Sequence, residues 1–474
     1  MDNPFLQHIN DIFSRLSGRT LIVAGTVWVV VFAVALSCLF GVIQLPGGGR
    51  RGDAPTPSIT PAADAPFTPG DGEQGSGDPS ATATPPTSIQ LPTPTPQPGD
   101  AASQDGDPVE GVVPIDDTGF GYGIAAHGIG MPEYTMDQVK YQLGLDWVKQ
   151  QVRWDHFSTA PGQMDWSGYD AMMMFAAERD LKVLLSVVGS PDWSRSYFDE
   201  NPEAAPPDDI SLFVAFIGEL VDRYKGDVHA IEVWNEQNLD REWDTPEGVN
   251  AQSYVEMLRL TYQAIKSRDP NIMVISGALS PTGVVATDPQ NPERYTVIDD
   301  FVYFQQMIDV GFLSYADCVG AHHNGINMPP DVAWDEGYDD PTATFRAPFD
   351  SPHRSWSFKS TLFGYHDMII AAGRDTPLCV TEFGWATTEG FDGTPPGFEF
   401  AEDNTLEEQA KWDVEAFQLM REWGFVKVAY LWNLDYSYKG GLGATDPNAP
   451  YSILDLKGAP RPAYGAIGEM PKTP

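Results

Sequence analysis

Two glutamates offer the clearest chemistry in this sequence. Glu236 closes the segment Ile231-Glu232-Val233-Trp234-Asn235-Glu236, and Glu382 follows Leu378-Cys379-Val380-Thr381. Each segment is a short, largely apolar run of the composition expected of a buried strand. A carboxylate at the mouth of such a strand, with aromatics beside it, suits cleavage of a glycosidic bond. That reaction passes through an oxocarbenium-like state. One carboxylic acid protonates the leaving oxygen, and one carboxylate attacks or stabilises the anomeric carbon. A lone glutamate ending a strand is ordinarily a solvated rim residue; the pair points to catalysis.

Two such groups must meet across a common cavity, and the rest of the sequence supplies the elements to arrange it. Candidate strands at 119–126, 147–153, 182–188, 230–235, 273–279, 318–322, 378–381 and 426–432 alternate with helical stretches. Before the fourth strand, Ile210, Phe213, Val214, Ile217, Val221 and Tyr224 recur at helical spacing, with Asp209 placed to cap the start and Gly226 just past the end. Residues 252–266 repeat the pattern with Tyr254, Met257, Leu258 and Ile265. This alternation predicts an α/β fold, a (β/α)8 barrel over residues 109–474. A doubly wound sheet would alternate in the same way, but no glycine-rich phosphate loop follows the first strand. In a barrel the fourth and seventh strands end on opposing sides of the mouth. The long segments 325–355 and 386–404 would ring that mouth as functional loops.

Trp234-Asn235-Glu236 and Thr381-Glu382-Phe383-Gly384-Trp385 resemble the corresponding strand ends of the retaining glycoside hydrolases of clan A, especially families 39 and 5. Arg153-Trp154-Asp155, Ser190-Pro191-Asp192-Trp193 and the tail from Tyr451 to Tyr464 are similar to further segments of those enzymes. The resemblance implies that Glu236 is the acid/base and Glu382 the nucleophile. It also implies that Asn235 contacts the sugar 2-hydroxyl, Arg153 supports the nucleophile, His322 lines the reacting-sugar pocket and Trp432 forms its floor, with Trp385 a further substrate contact. Two positions depart from the pattern. Gln237 stands where proline usually follows the acid/base, and Asn324 stands where a tyrosine commonly bonds the nucleophile. On this reading a raised pKa keeps Glu236 protonated, and Arg153 keeps Glu382 ionised. Glu232 shares the strand parity of Glu236 one step deeper and reads as a buried structural carboxylate.

Outside the barrel, residues 21–43 carry no charge, and these 23 residues would rise about 34 Å as a helix, enough to span a bilayer. No small-x-small cleavage site follows, so an uncleaved anchor over residues 20–45 is expected after a short tail, residues 1–19. Residues 46–108 are rich in Pro, Thr, Gly, Ser and Ala and should form a disordered stalk. Together these place the barrel outside the cell on a single-pass anchor. A formal net charge of −39 argues against nucleic acid as a partner. The expected partners are an oligosaccharide or polysaccharide and, through the anchor, the membrane. Neither metal nor cofactor is assigned, because His322 and His323 have no second ligand pair at helical spacing. Strict strand alternation turns Cys318 inward with His322 and Cys379 outward, opposite to Glu382, so no disulfide is expected between them. Rival readings are a barrel that binds glycan without turnover and a transglycosylase.

Overall fold

The computed structural model describes residues 119–197, 204–441 and 443–472. The expected anchor and stalk lie outside the described residues. Among the described residues no helix is long and apolar enough to cross a membrane.

In chain order the strands are β1 Gly121–Ala125, β2 Trp147–Arg153, β3 Lys182–Val188, β4 Ala230–Val233, β5 Met273–Ser276, β6 Ala286–Asp288, β7 Asn291–Val297, β8 Val319–Gly325, β9 Leu378–Trp385 and β10 Val426–Leu431. Eight of them form one parallel sheet in the order β5-β4-β3-β2-β1-β10-β9-β8. The sheet closes on itself where Ser276 N donates to Cys318 O at 3.2 Å. Gly320 permits that seam, because a Cβ there would lie 2.1 Å from Ser276 O. The result is a (β/α)8 barrel. β6 and β7 make an antiparallel hairpin outside it, which the periodicity did not reveal.

Alternation along the strands sorts the core into two layers. In β3 and β4, Val183, Leu185, Ile231 and Val233 face the helices, while Leu184 and Ala230 face the barrel axis. The helices seal the outer layer as their sequences dictate. Ile210–Arg223 buries Phe213, Ile217 and Val221 and is capped by Asp209, whose side chain accepts from Ser211 N. Ala251–Arg268 buries Tyr254, Met257, Leu258 and Ile265, with Asn250 as its cap.

Alternation fails once, in β9. The pairing of β8 with β9 steps from Ala321 opposite Val380 to His322 opposite Glu382, leaving Thr381 as the extra residue of a bulge. Thr381 Oγ1 reaches the buried Glu232 Oε1 at 2.6 Å, so Thr381 and Glu382 both face the barrel axis. Counting back through the bulge turns Cys379 inward as well. It forms a disulfide with Cys318 across the adjacent strands, Cα to Cα 5.8 Å. The expectation of unpaired cysteines is therefore corrected: it rested on an unbroken two-residue period, which the bulge interrupts.

Candidate active site

Glu236 and Glu382 converge at the C-terminal mouth of the barrel, where one imidazole spans them. His322 Nδ1 lies 3.3 Å from Glu236 Oε1, and Nε2 lies 3.7 Å from Glu382 Oε1. The turn after β4 presents Glu236 through left-handed backbone at two non-glycine residues, Trp234 (φ 77°) and Glu236 (φ 41°). Such positions are strained and persist only where surrounding bonds hold them. Here Trp234 N donates to Val187 O and Glu236 N to Ala278 O. Gln237 is buried and donates to Gly277 O at 2.8 Å, tying the turn to the end of β5. Asn235 is buried beside it, and its Oδ1 has no hydrogen-bond partner among the described residues. A buried acceptor in that state suits a hydroxyl donor arriving with a ligand.

Glu382 receives Lys149 Nζ at 2.9 Å and Asn324 Nδ2 at 3.3 Å. Asn324 thus bonds the carboxylate where a tyrosine was missed in the sequence. Lys149 also pairs with Glu232 at 3.3 Å, and both side chains are sequestered from water. Burial alone would push the Lys149 ammonium down, but the charges of Glu232 and Glu382 outweigh it and hold the pKa above its ordinary value. Burial likewise opposes the charge on His322, yet Glu382 and the bond to Glu236 hold this imidazole above its usual range. Glu232 is pushed up by burial but brought below its ordinary value by Lys149 and His322.

Glu236 departs from expectation. Burial pushes its carboxyl up, as foreseen, but the His322 hydrogen bond and the Arg241 charge together outweigh it and hold Glu236 below its ordinary value. Arg241 Nη2 forms an ion pair with Glu236 Oε2. Both partners favour the charged form of Glu236, against the expectation of a raised pKa, and nothing in the sequence marks a cation of the following loop as one of them.

Arg153 pairs with Asp155, Nη2 to Oδ2 at 3.1 Å, and Lys149, four residues earlier on the same strand, is a cation on Glu382. One expected site residue is corrected. Trp385 lies on the outer side of β9, packed on Phe358 and Trp412, with its Nε1 donating to Met328 O at 2.7 Å. It is a core residue. Trp432 remains near the centre: its ring centroid is 5.8 Å from Lys149 Nζ, and it packs on Tyr436. Lys149 was legible in principle, since a lysine within the apolar run of β2 has to find a buried partner. Arg241 carried no such signal. Among the described residues no cluster suited to a metal ion occurs.

A cleft of about 570 Å³, counting space open to solvent, adjoins Glu236. Loops after β5, β8 and β9 line it with Pro281, Ile326, Phe345, Trp356 and Phe400. Asp403 fastens two of these loops together, accepting from Asn327 Nδ2, Thr344 N and Phe345 N, each at 2.9 Å.

No protein-family model matches the chain, and no curated protein matches it in sequence. In structure it is similar to a family 39 glycoside hydrolase from Bacteroides cellulosilyticus WH2, with a TM-score of 0.52, 16% identity, and 74% of this chain and 63% of that one covered. It is also similar to a glucosidase from Croceicoccus marinus, with a TM-score of 0.50, 14% identity, and 74% and 66% covered. The chain spans less than two thirds of the length of either. At such identities the likeness is one of fold, and the activities named belong to those proteins. What it establishes is that this chain folds as a (β/α)8 barrel of the kind found in those glycoside hydrolases.

Proposed function

We propose that the protein is a retaining β-glycosidase acting on an oligosaccharide or polysaccharide by double displacement. The observation that carries this reading is the meeting of Glu236 and Glu382 at the barrel mouth across a single imidazole. Lys149 keeps Glu382 paired with positive charge, as a carboxylate nucleophile requires. Glu382 attacks the anomeric carbon while Glu236 gives a proton to the departing oxygen. Water, deprotonated by Glu236, then displaces Glu382 from the glycosyl-enzyme. The proton for the first step is held in the His322–Glu236 pair, which titrates as a unit. Asn235, with its unsatisfied Oδ1, would accept from a sugar hydroxyl, and the Trp432 ring would floor the site.

The same reading places the barrel outside the cell, on residues 20–45 as anchor and 46–108 as stalk. The Cys318–Cys379 disulfide supports export, since such bonds persist in oxidising compartments.

The test treats the protein with a panel of 2-fluoro glycosyl fluorides and maps the mass increment. Label on Glu382 identifies nucleophile and sugar together; label on Glu236 reverses the roles. Azide should restore turnover to Glu382→Gly with inverted product and to Glu236→Ala with retained product. The same stereochemistry from both variants would contradict the division of labour.

A further inference from the structure

Arg241 is a cation of a different kind from its neighbours in the site. Glu236 is engaged at both oxygens, Oε1 by His322 and Oε2 by Arg241. A leaving group must therefore approach this carboxyl in competition with a partner on either oxygen. Of the three basic side chains around the carboxylates, Lys149 and His322 are sealed at 1% and 0% side-chain exposure, whereas Arg241 keeps 22%. Its backbone is fixed: Arg241 O accepts from Ala204 N, Asp240 N donates to Thr296 O, and Leu239 N donates to Glu236 O. Trp234 Nε1 holds Glu242 O at 2.7 Å just beyond. Glu236 is fixed in turn by its bond to Ala278 O. The arginine side chain is long and reaches solvent, so a group entering from the mouth can meet it.

Resting on the glycosidase reading above, we propose that Arg241 is a displaceable latch. In the empty site it holds Glu236 as a blocked, charged carboxylate, and an entering substrate pushes it aside. Proton delivery is thereby coupled to occupancy, and Arg241 acts as a positioning residue through Glu236. Glu236 faces Arg241, His322 from β8 and Tyr451 from the segment before the C-terminal helix Pro462–Glu469, and His322 in turn faces Glu382 from β9, Lys149 from β2 and Glu232 from β4. Of these charged neighbours Arg241 is the one the substrate can remove. With its charge gone, the shared proton is held more tightly by the His322–Glu236 pair.

The test compares the full chain with Arg241→Gln and Arg241→Lys over pH. The probe is whichever p-nitrophenyl β-glycoside of xylose, glucose, galactose or arabinose the wild type turns over fastest. The profile of kcat/KM reports the free enzyme and that of kcat the complex. In Arg241→Gln the basic limb of kcat/KM should move up by about one pH unit, the smaller end of the effect of a nearby charge. The basic limb of kcat should stay in place, and Arg241→Lys should keep the wild-type profile. Equal movement of both limbs would mean that Arg241 stays on Glu236 in the complex, and movement of neither would mean that it sets nothing; each overturns the latch. Infrared pH titration, wild type against Glu236→Gln, reads the Glu236 carboxyl without turnover. The band should titrate about one unit higher in an Arg241→Gln background, and an unmoved band overturns the proposal. If no glycoside is cleaved, the glycosidase reading fails while the infrared result still decides the latch.

Discussion

At the scale of single residues, the barrel mouth is a compensated ion cluster. Glu232, Glu236 and Glu382 face Lys149, His322 and Arg241, most of them out of contact with water. Buried charges are tolerated only as members of such a set, and removing one partner strands the others. Lys149 serves two of these carboxylates from a fully buried position, so its loss removes a positive charge from both. Lys149→Met is expected to lower unfolding stability by about 3–5 kcal/mol at neutral pH in urea titration. It should also weaken turnover by leaving Glu382 without its cation. A variant as stable as wild type would show that Glu232 or Glu382 takes up a proton instead. Asn324 adds a neutral donor to Glu382 beside the Lys149 charge.

At the scale of elements, loop anchoring depends on a second buried acid. Asp300 opens the helix Asp300–Asp309 and accepts from Ser355 Oγ at 2.7 Å, Tyr365 Oη at 2.8 Å and Gly283 N at 3.3 Å. Ser355 and the neighbouring Trp356 wall the cleft. Burial, reinforced by the charge of Asp299, pushes the Asp300 carboxyl up to about 6 against those three donors. The folded chain therefore binds this proton more tightly than the unfolded chain. Its contribution is fully present below the unfolded value near 3.8 and drains away as pH rises through 6. The stability of wild type relative to Asp300→Asn should fall by about 2 kcal/mol between pH 4 and pH 7, measured by urea unfolding. A difference that stays constant over that range would show that Asp300 is ionised throughout.

For the whole molecule, the closed sheet is fastened beneath the site by Cys318–Cys379, which links the strands carrying His322 and Glu382. The bond encloses a sequence separation of 61 residues, for which chain-entropy arguments give about 4 kcal/mol of stabilisation. Cys318→Ala/Cys379→Ala should lose roughly that amount, seen as a lower midpoint in chemical denaturation. Of the three cysteines only Cys38 lies outside this pair, so denatured, unreduced protein should titrate one thiol per chain. Three thiols would refute the disulfide.

The sequence by itself determined the barrel, because strand and helix periods are local and each strand's apolar run is set by being buried on both faces. It also marked Glu236 and Glu382, since a carboxylate ending such a run has few structural uses. What it could not determine was anything that depended on register or on chain folding back. The extra residue at Thr381 reversed the direction of Cys379, and a two-residue period has no means of announcing its own interruption. Lys149 met Glu382 because distance across the barrel, not rank along a strand, selects the partner. Arg241 reached Glu236 through a loop whose path is set by the β6–β7 hairpin and Ala204. Electrostatics inside a protein acts through space between groups remote in sequence, so only the tertiary structure could decide which charges meet.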